Sequence, residues 1–67
     1  MDGEQDANSV ETFCRRHGIS RAFLYLLWRR GEGPRFMQVG GRRLISCEAA
    51  ADWRRQMERT PDAKNAA

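Results

Sequence analysis

The sequence predicts a mainly α domain with one small β-hairpin, in the order helix, tight turn, helix, two-stranded hairpin, closing helix. Three observations carry this expectation. Serine precedes an amphipathic stretch at three places, Ser9, Ser20 and Ser46. Glycine closes two of those stretches, at Gly18 and Gly31. Gly40–Gly41 separates two short runs of β-prone residues. A serine hydroxyl satisfies an orphan N–H at a helix start, and glycine adopts the left-handed conformation that ends a helix.

The first helix is expected after Ser9. Val10, Phe13, Cys14 and His17 recur at the spacing of one helix face, and Glu11 lies in the first turn, where the helix dipole favours an acid. Arg15 and Arg16 lie near the other end, before Gly18, and Ile19 can fold back onto the helix. Ser20 caps a second helix that runs to about Arg30, with Leu24, Leu27 and Trp28 on its inner face. Only Gly18–Ile19–Ser20 separates the two helices, so the chain must turn sharply, as in a helix-turn-helix. Glu32–Gly33–Pro34 cannot continue a helix.

Residues 35–39 and 42–46 then read as two strands joined by a primed turn at Gly40–Gly41. Pairing 39 with 42 puts Met37, Val39 and Leu44 on one face and Phe36 and Ile45 on the other. Ser46 caps the closing helix, with Ala49, Ala50, Trp53, Gln56 and Met57 as its inner face. Residues 1–8 and 60–67 lack apolar periodicity and read as tails, which leaves a single domain over residues 9–59.

Composition narrows the function. A chain of 67 residues supports one small core. A deep catalytic cavity would use side chains that this core needs, which favours a binding module over an enzyme. Between Thr12 and Ile45 there are eight arginines against one acid, Glu32, a local net charge of +7, whereas the first nine residues carry three acids and no base. Such a basic middle suits a polyanion, although a solvated basic face has the same composition. Eleven of the twelve basic residues are arginine, whose planar fork matches phosphate oxygens and guanine edges. No apolar run approaches a membrane span and no secretory leader is visible, so a cytoplasmic, nucleoid-associated protein with reduced cysteines is expected.

Two constellations could carry chemistry. Cys14 and His17 form a C-x-x-H pair with Cys47 as a third donor, but a zinc site needs four ligands in paired spacing, and both residues fall on the inward stripe. They read as core, not as a metal site or a nucleophile and base, and no cofactor is expected. Phe36, Trp28 and Trp53 could stack bases, but aromatics in so short a chain read first as core.

The run Gly18-Ile19-Ser20-Arg21, Leu24-Tyr25, Arg29-Arg30-Gly31, Gly33-Pro34, Val39-Gly40-Gly41-Arg42-Arg43-Leu44-Ile45-Ser46-Cys47-Glu48-Ala49 and Trp53 resembles the excisionase and AlpA-like helix-turn-helix family. That family is related to the MerR-type winged-helix domain, and the resemblance spans about residues 10–57. It implies a winged helix-turn-helix that binds double-stranded DNA as a transcriptional regulator of a phage, plasmid or mobile element. The alternative within the family is a recombination directionality factor that assists an integrase.

The resemblance assigns Ser20 to the cap and phosphate end of the recognition helix, and Arg21, Ala22 and Phe23 to base edges. It assigns Tyr25 and Arg29 to phosphates, and Arg42 and Arg43 to the wing. Phe23 stands where the family usually has a small polar residue, and Leu26 where it has a polar or basic one. These two can meet thymine methyl groups, or they can form a protein-interaction surface, which is the rival reading. A single module covers little DNA, so a homodimer or cooperative assembly on repeated sites is expected.

Overall fold

The computed structural model describes residues 6–59. The tail readings for residues 1–5 and 60–67 lie outside them. The elements follow in order: β1 (Ala7–Ser9), α1 (Val10–His17), α2 (Arg21–Arg30), β2 (Met37–Val39), β3 (Arg42–Ser46) and α3 (Cys47–Met57). Three helices pack on a three-stranded antiparallel sheet of order β1-β3-β2. The architecture is therefore mixed α/β, where the sequence suggested a mainly α domain with a two-stranded hairpin alone.

The helices start and stop where local chemistry requires. The Oγ atoms of Ser9, Ser20 and Ser46 accept from the N–H groups of Thr12, Phe23 and Ala49 at 3.1, 3.0 and 3.0 Å. Gly18 closes α1 at φ 70°, and its left-handed conformation lets the Ile19 N–H return to the Cys14 carbonyl at 3.1 Å. Ile19 then packs against the core. At the hairpin, Val39 pairs with Arg42, Gln38 with Arg43 and Met37 with Leu44, the register read from the sequence. Gly40 has φ 61°, while Gly41 is not left-handed, the sign pattern of a type II′ turn.

β1 corrects the boundary of the N-terminal tail. Ala7 and Asn8 belong to a strand paired with Ser46 and Ile45, and the Cys47 N–H extends the ladder to the Asp6 carbonyl at 2.8 Å. Ala-Asn-Ser has no strand propensity or alternation, so backbone pairing with the distant β3 creates this strand. Asn8 shares the inner face with its partner Ile45, is 5% exposed, and its Oδ1 has no hydrogen-bond partner among the described residues.

Phe13, Leu24 and Ile45 are fully buried at the centre of the core. Cys14, Leu27, Ala49, Ala50 and Trp53 surround them. α3 departs from its expected face in the last turn, where Gln56 is exposed and Met57 is 39% exposed. The inner face thus ends at Trp53.

The segment between α2 and β2 is held from both sides. The Trp28 Nε1–H donates to the Pro34 carbonyl at 2.8 Å, and the Trp53 Nε1–H donates to the Glu32 carbonyl at 2.9 Å. A Cβ on Gly33 would overlap the Trp28 indole, so the close approach requires glycine. Arg35 and Arg55 both donate to the carboxylate of Asp52, at 2.9 and 2.6 Å. The hydrogen bond from Arg35, and then that from Arg55, lowers the Asp52 pKa below its ordinary value.

Trp53 joins the core to this segment, with its ring set edge-on to Phe13 at 5.5 Å. Trp53→Ala is expected to cost roughly 3–5 kcal/mol, enough to unfold most of so small a domain. Trp53→Phe keeps most of the apolar area but leaves the Glu32 carbonyl without its donor, and should cost about 1–3 kcal/mol. Chemical denaturation checks both, and near-native stability of Trp53→Ala would contradict the account.

Candidate nucleic-acid interface

α2 turns one side to the core through Leu24 and Leu27. Its other side exposes Arg21, Ala22, Phe23, Tyr25 and Arg29, behind the exposed cap Ser20. The six residues assigned to this helix thus share its exposed side. Phe23 is 44% exposed, whereas Leu26 is half-buried, so the two unusual apolar residues do not form one equally open patch.

The hairpin brings Arg42 and Arg43 to the same end of the molecule. Arg21, Tyr25, Arg42 and Arg43 line one cleft of about 250 Å³ with Ser9, Val10, Glu11 and Gly41. The cleft therefore lies between the start of α1, the N-terminal half of α2 and the hairpin. The sequence marks Ser9, Glu11 and Gly41 as cap, first-turn and hairpin residues and not as site residues, because their approach to α2 depends on how α1 and β3 pack. A second depression, of about 370 Å³, continues from it and is lined by Tyr25, Trp28, Arg29, Phe36 and Arg43.

Charge pairing separates the arginines. Among the described residues, Arg30 pairs with Glu32 at 4.0 Å, and Arg35 and Arg55 pair with Asp52. Arg21, Arg29, Arg42 and Arg43 take no part in these pairs. Among the described residues, the cationic groups lining the two depressions thus take part in no ion pair, and Glu11 is the one carboxylate among the lining residues.

The two hairpin arginines differ. Arg42 is exposed. Arg43 is half-buried, and its guanidinium carbon lies 4.4 Å from the Phe36 ring centre, 4.9 Å from Trp28 and 5.4 Å from Tyr25. Phe36 is not core: it is 37% exposed and meets Trp28 at 4.8 Å. Trp53 is buried and faces Phe13 and His17 instead, so the three aromatics weighed as a stacking platform do not come together.

Cys14 and His17 lie within the fold as packing groups. Cys14 is buried. The His17 ring stacks on Phe13 at 4.1 Å, and its Nδ1 is 2.8 Å from the Phe13 carbonyl. Arg54 Nη1 lies 3.1 Å from Nε2 and can only donate. Nδ1–H therefore donates to the carbonyl and Nε2 accepts, which occupies both ring nitrogens. Cys47 is exposed at the start of α3. No group of three or more His, Cys, Asp or Glu among the described residues could hold a metal ion, and none of their helices is long and apolar enough to cross a membrane.

In comparisons with known proteins, the chain matches no family model, no curated protein and no solved structure.

Burial pushes the Cys14 thiol up from its ordinary pKa, an effect partly opposed by the Arg21 guanidinium. The thiolate is the reactive form. Alkylation of the native protein near pH 8 should therefore modify Cys47 first and leave Cys14 largely intact until denaturant is added. Equal modification of both in the native state would contradict the buried assignment.

Proposed function

We propose that this protein binds double-stranded DNA sequence-selectively, as a winged helix-turn-helix in which α2 enters the major groove and the β2–β3 hairpin serves as the wing. One observation carries the reading: Arg21 and Arg42, neither of them in an ion pair among the described residues, line with Arg43 the cleft between an exposed helix start and a hairpin tip. A polyanion supplies the missing partners. A helix in the major groove and a hairpin over the neighbouring minor groove straddle the sugar–phosphate strand between those grooves. The cleft is where that strand would run.

The residues then divide by task. The N-terminal end of α2, with Ser20 and Arg21, faces phosphates and base edges. From the first turn, the Arg21 fork can reach the O6 and N7 atoms of a guanine, while Ala22 and Phe23 can touch thymine methyl groups. Tyr25 and Arg29, further along the same side, suit phosphates. Arg42, next to the compact Gly40–Gly41 tip, suits a phosphate or the minor groove.

The sequence resemblance supports a role in transcriptional regulation within a phage, plasmid or mobile element. A recombination directionality factor would use the same surface. The exposure of Phe23 favours a second reading, in which the start of α2 contacts another protein.

Electrophoretic mobility shift against random competitor DNA tests the proposal. If about five phosphates are neutralised per site, log affinity should fall against log salt with a slope near −4 to −5. Arg21→Ala should cost roughly 1–3 kcal/mol on the preferred site and relax the preference at one base pair. Arg42→Ala should weaken specific and random DNA alike and flatten the salt slope by about one. A slope near zero would reject the electrostatic footprint, and equal effects of the two changes on the specific-to-random ratio would reject the division between helix and hairpin.

A further inference from the structure

The two hairpin arginines are adjacent in sequence but lie on opposite faces of β3. Strand side chains alternate. Arg43 therefore shares its face with Ile45, which is fully buried, while Arg42 and Leu44 share the other. The Arg43 stem runs inward under the hairpin, and its guanidinium meets three rings. Tyr25 and Trp28 stand three residues apart on α2, and Phe36 leads into β2. The rings touch in series, Tyr25 to Trp28 at 5.1 Å and Trp28 to Phe36 at 4.8 Å, so they form one wall. All three ring centres lie within the range of a cation–π contact, and a planar guanidinium suits an aromatic face.

Among the described residues, no backbone hydrogen bond joins α2 to β2 or β3. Side chains alone set the hairpin against the helix, and Arg43 is the cation that reaches from one to the other. We propose that Arg43 is a positioning residue: held by Tyr25, Trp28 and Phe36, it locks the hairpin to α2 and thereby sets the cleft between Arg21 and Arg42. It acts on DNA through the position of Arg42 and not through a phosphate contact of its own. The lock stands on the geometry of the protein, and its effect on DNA rests on the function proposed above.

Two measurements on the full chain separate these parts. The first uses the protein without DNA and follows amide hydrogen exchange in wild type, Arg43→Ala and Arg43→Lys. The hairpin amides of residues 37–44 should exchange roughly tenfold faster in Arg43→Ala, while α1 and α3 keep their protection, which also shows that the variant is folded. Arg43→Lys restores a cation over the rings and should recover part of the protection.

The second measures duplex affinity across salt for Arg42→Ala, Arg43→Ala and the double variant. A positioning role predicts that the double variant binds nearly as well as the weaker single variant, with the same salt slope. Unchanged hairpin exchange in Arg43→Ala would overturn the lock. Additive losses, with the slope falling by about one for each arginine, would make Arg43 a phosphate contact and overturn the positioning role. If wild type binds no duplex, the DNA reading fails by itself and the exchange measurement still decides the lock.

Discussion

Two indole N–H groups grip the segment between α2 and β2 by its carbonyls, Trp28 on Pro34 and Trp53 on Glu32. This segment must leave a helix, turn and enter a strand, and its backbone groups have no ladder of their own. Each tryptophan contributes apolar area to the packed interior and a donor to the loop. Trp53 ties the loop to Phe13 and the α3 side of the core, while Trp28 ties it to α2 and to the aromatic wall under the hairpin. The direction in which the chain enters β2 follows from these two bonds. The bare Gly33 lets the indole lie against the backbone.

The arginines differ in their partners. Those that face the loop and α3, Arg35 and Arg55, are neutralised by Asp52, and Arg30 meets Glu32 at the end of α2. These exposed pairs contribute little stability, but they remove charge from that side. Among the described residues, the arginines around the α2–hairpin cleft have no such partner, and neither do Arg15, Arg16, Arg54 and Arg59 elsewhere. A surface charge left uncompensated in a small domain repels its neighbours, and Arg21, Arg42 and Arg43 converge on one cleft despite that repulsion. An anionic partner relieves it, which is the physical basis of the proposed function.

Local chemistry made most of the fold legible in the sequence. Three serine caps and two glycine stops each act within four residues, and the helices begin and end at them. The hairpin register followed from Gly40–Gly41 and the alternation around it. β1 was not legible, because Ala7–Ser9 becomes a strand only through pairing with residues nearly forty positions away. The last turn of α3 continued the apolar pattern through Met57, but no element among the described residues buries it. The site was legible in part. The helix residues that the resemblance assigned lie on one exposed side. The resemblance placed Arg43 with Arg42 on the wing, although the register that puts Ile45 inward puts Arg43 inward too. The rings that receive it come from α2 and from Phe36, a convergence that only the packed hairpin creates.

The central claim is that α2 and the hairpin form one DNA-facing surface on a scaffold held elsewhere by α1, α3 and the core. Amide chemical shifts of the full chain, followed by NMR as a duplex is added at low salt, test it most directly. The account predicts that the largest shifts fall on residues 20–29 and 40–43, with the outward side of α3 near its free values. Shifts concentrated on α3, or none with any duplex, would contradict it.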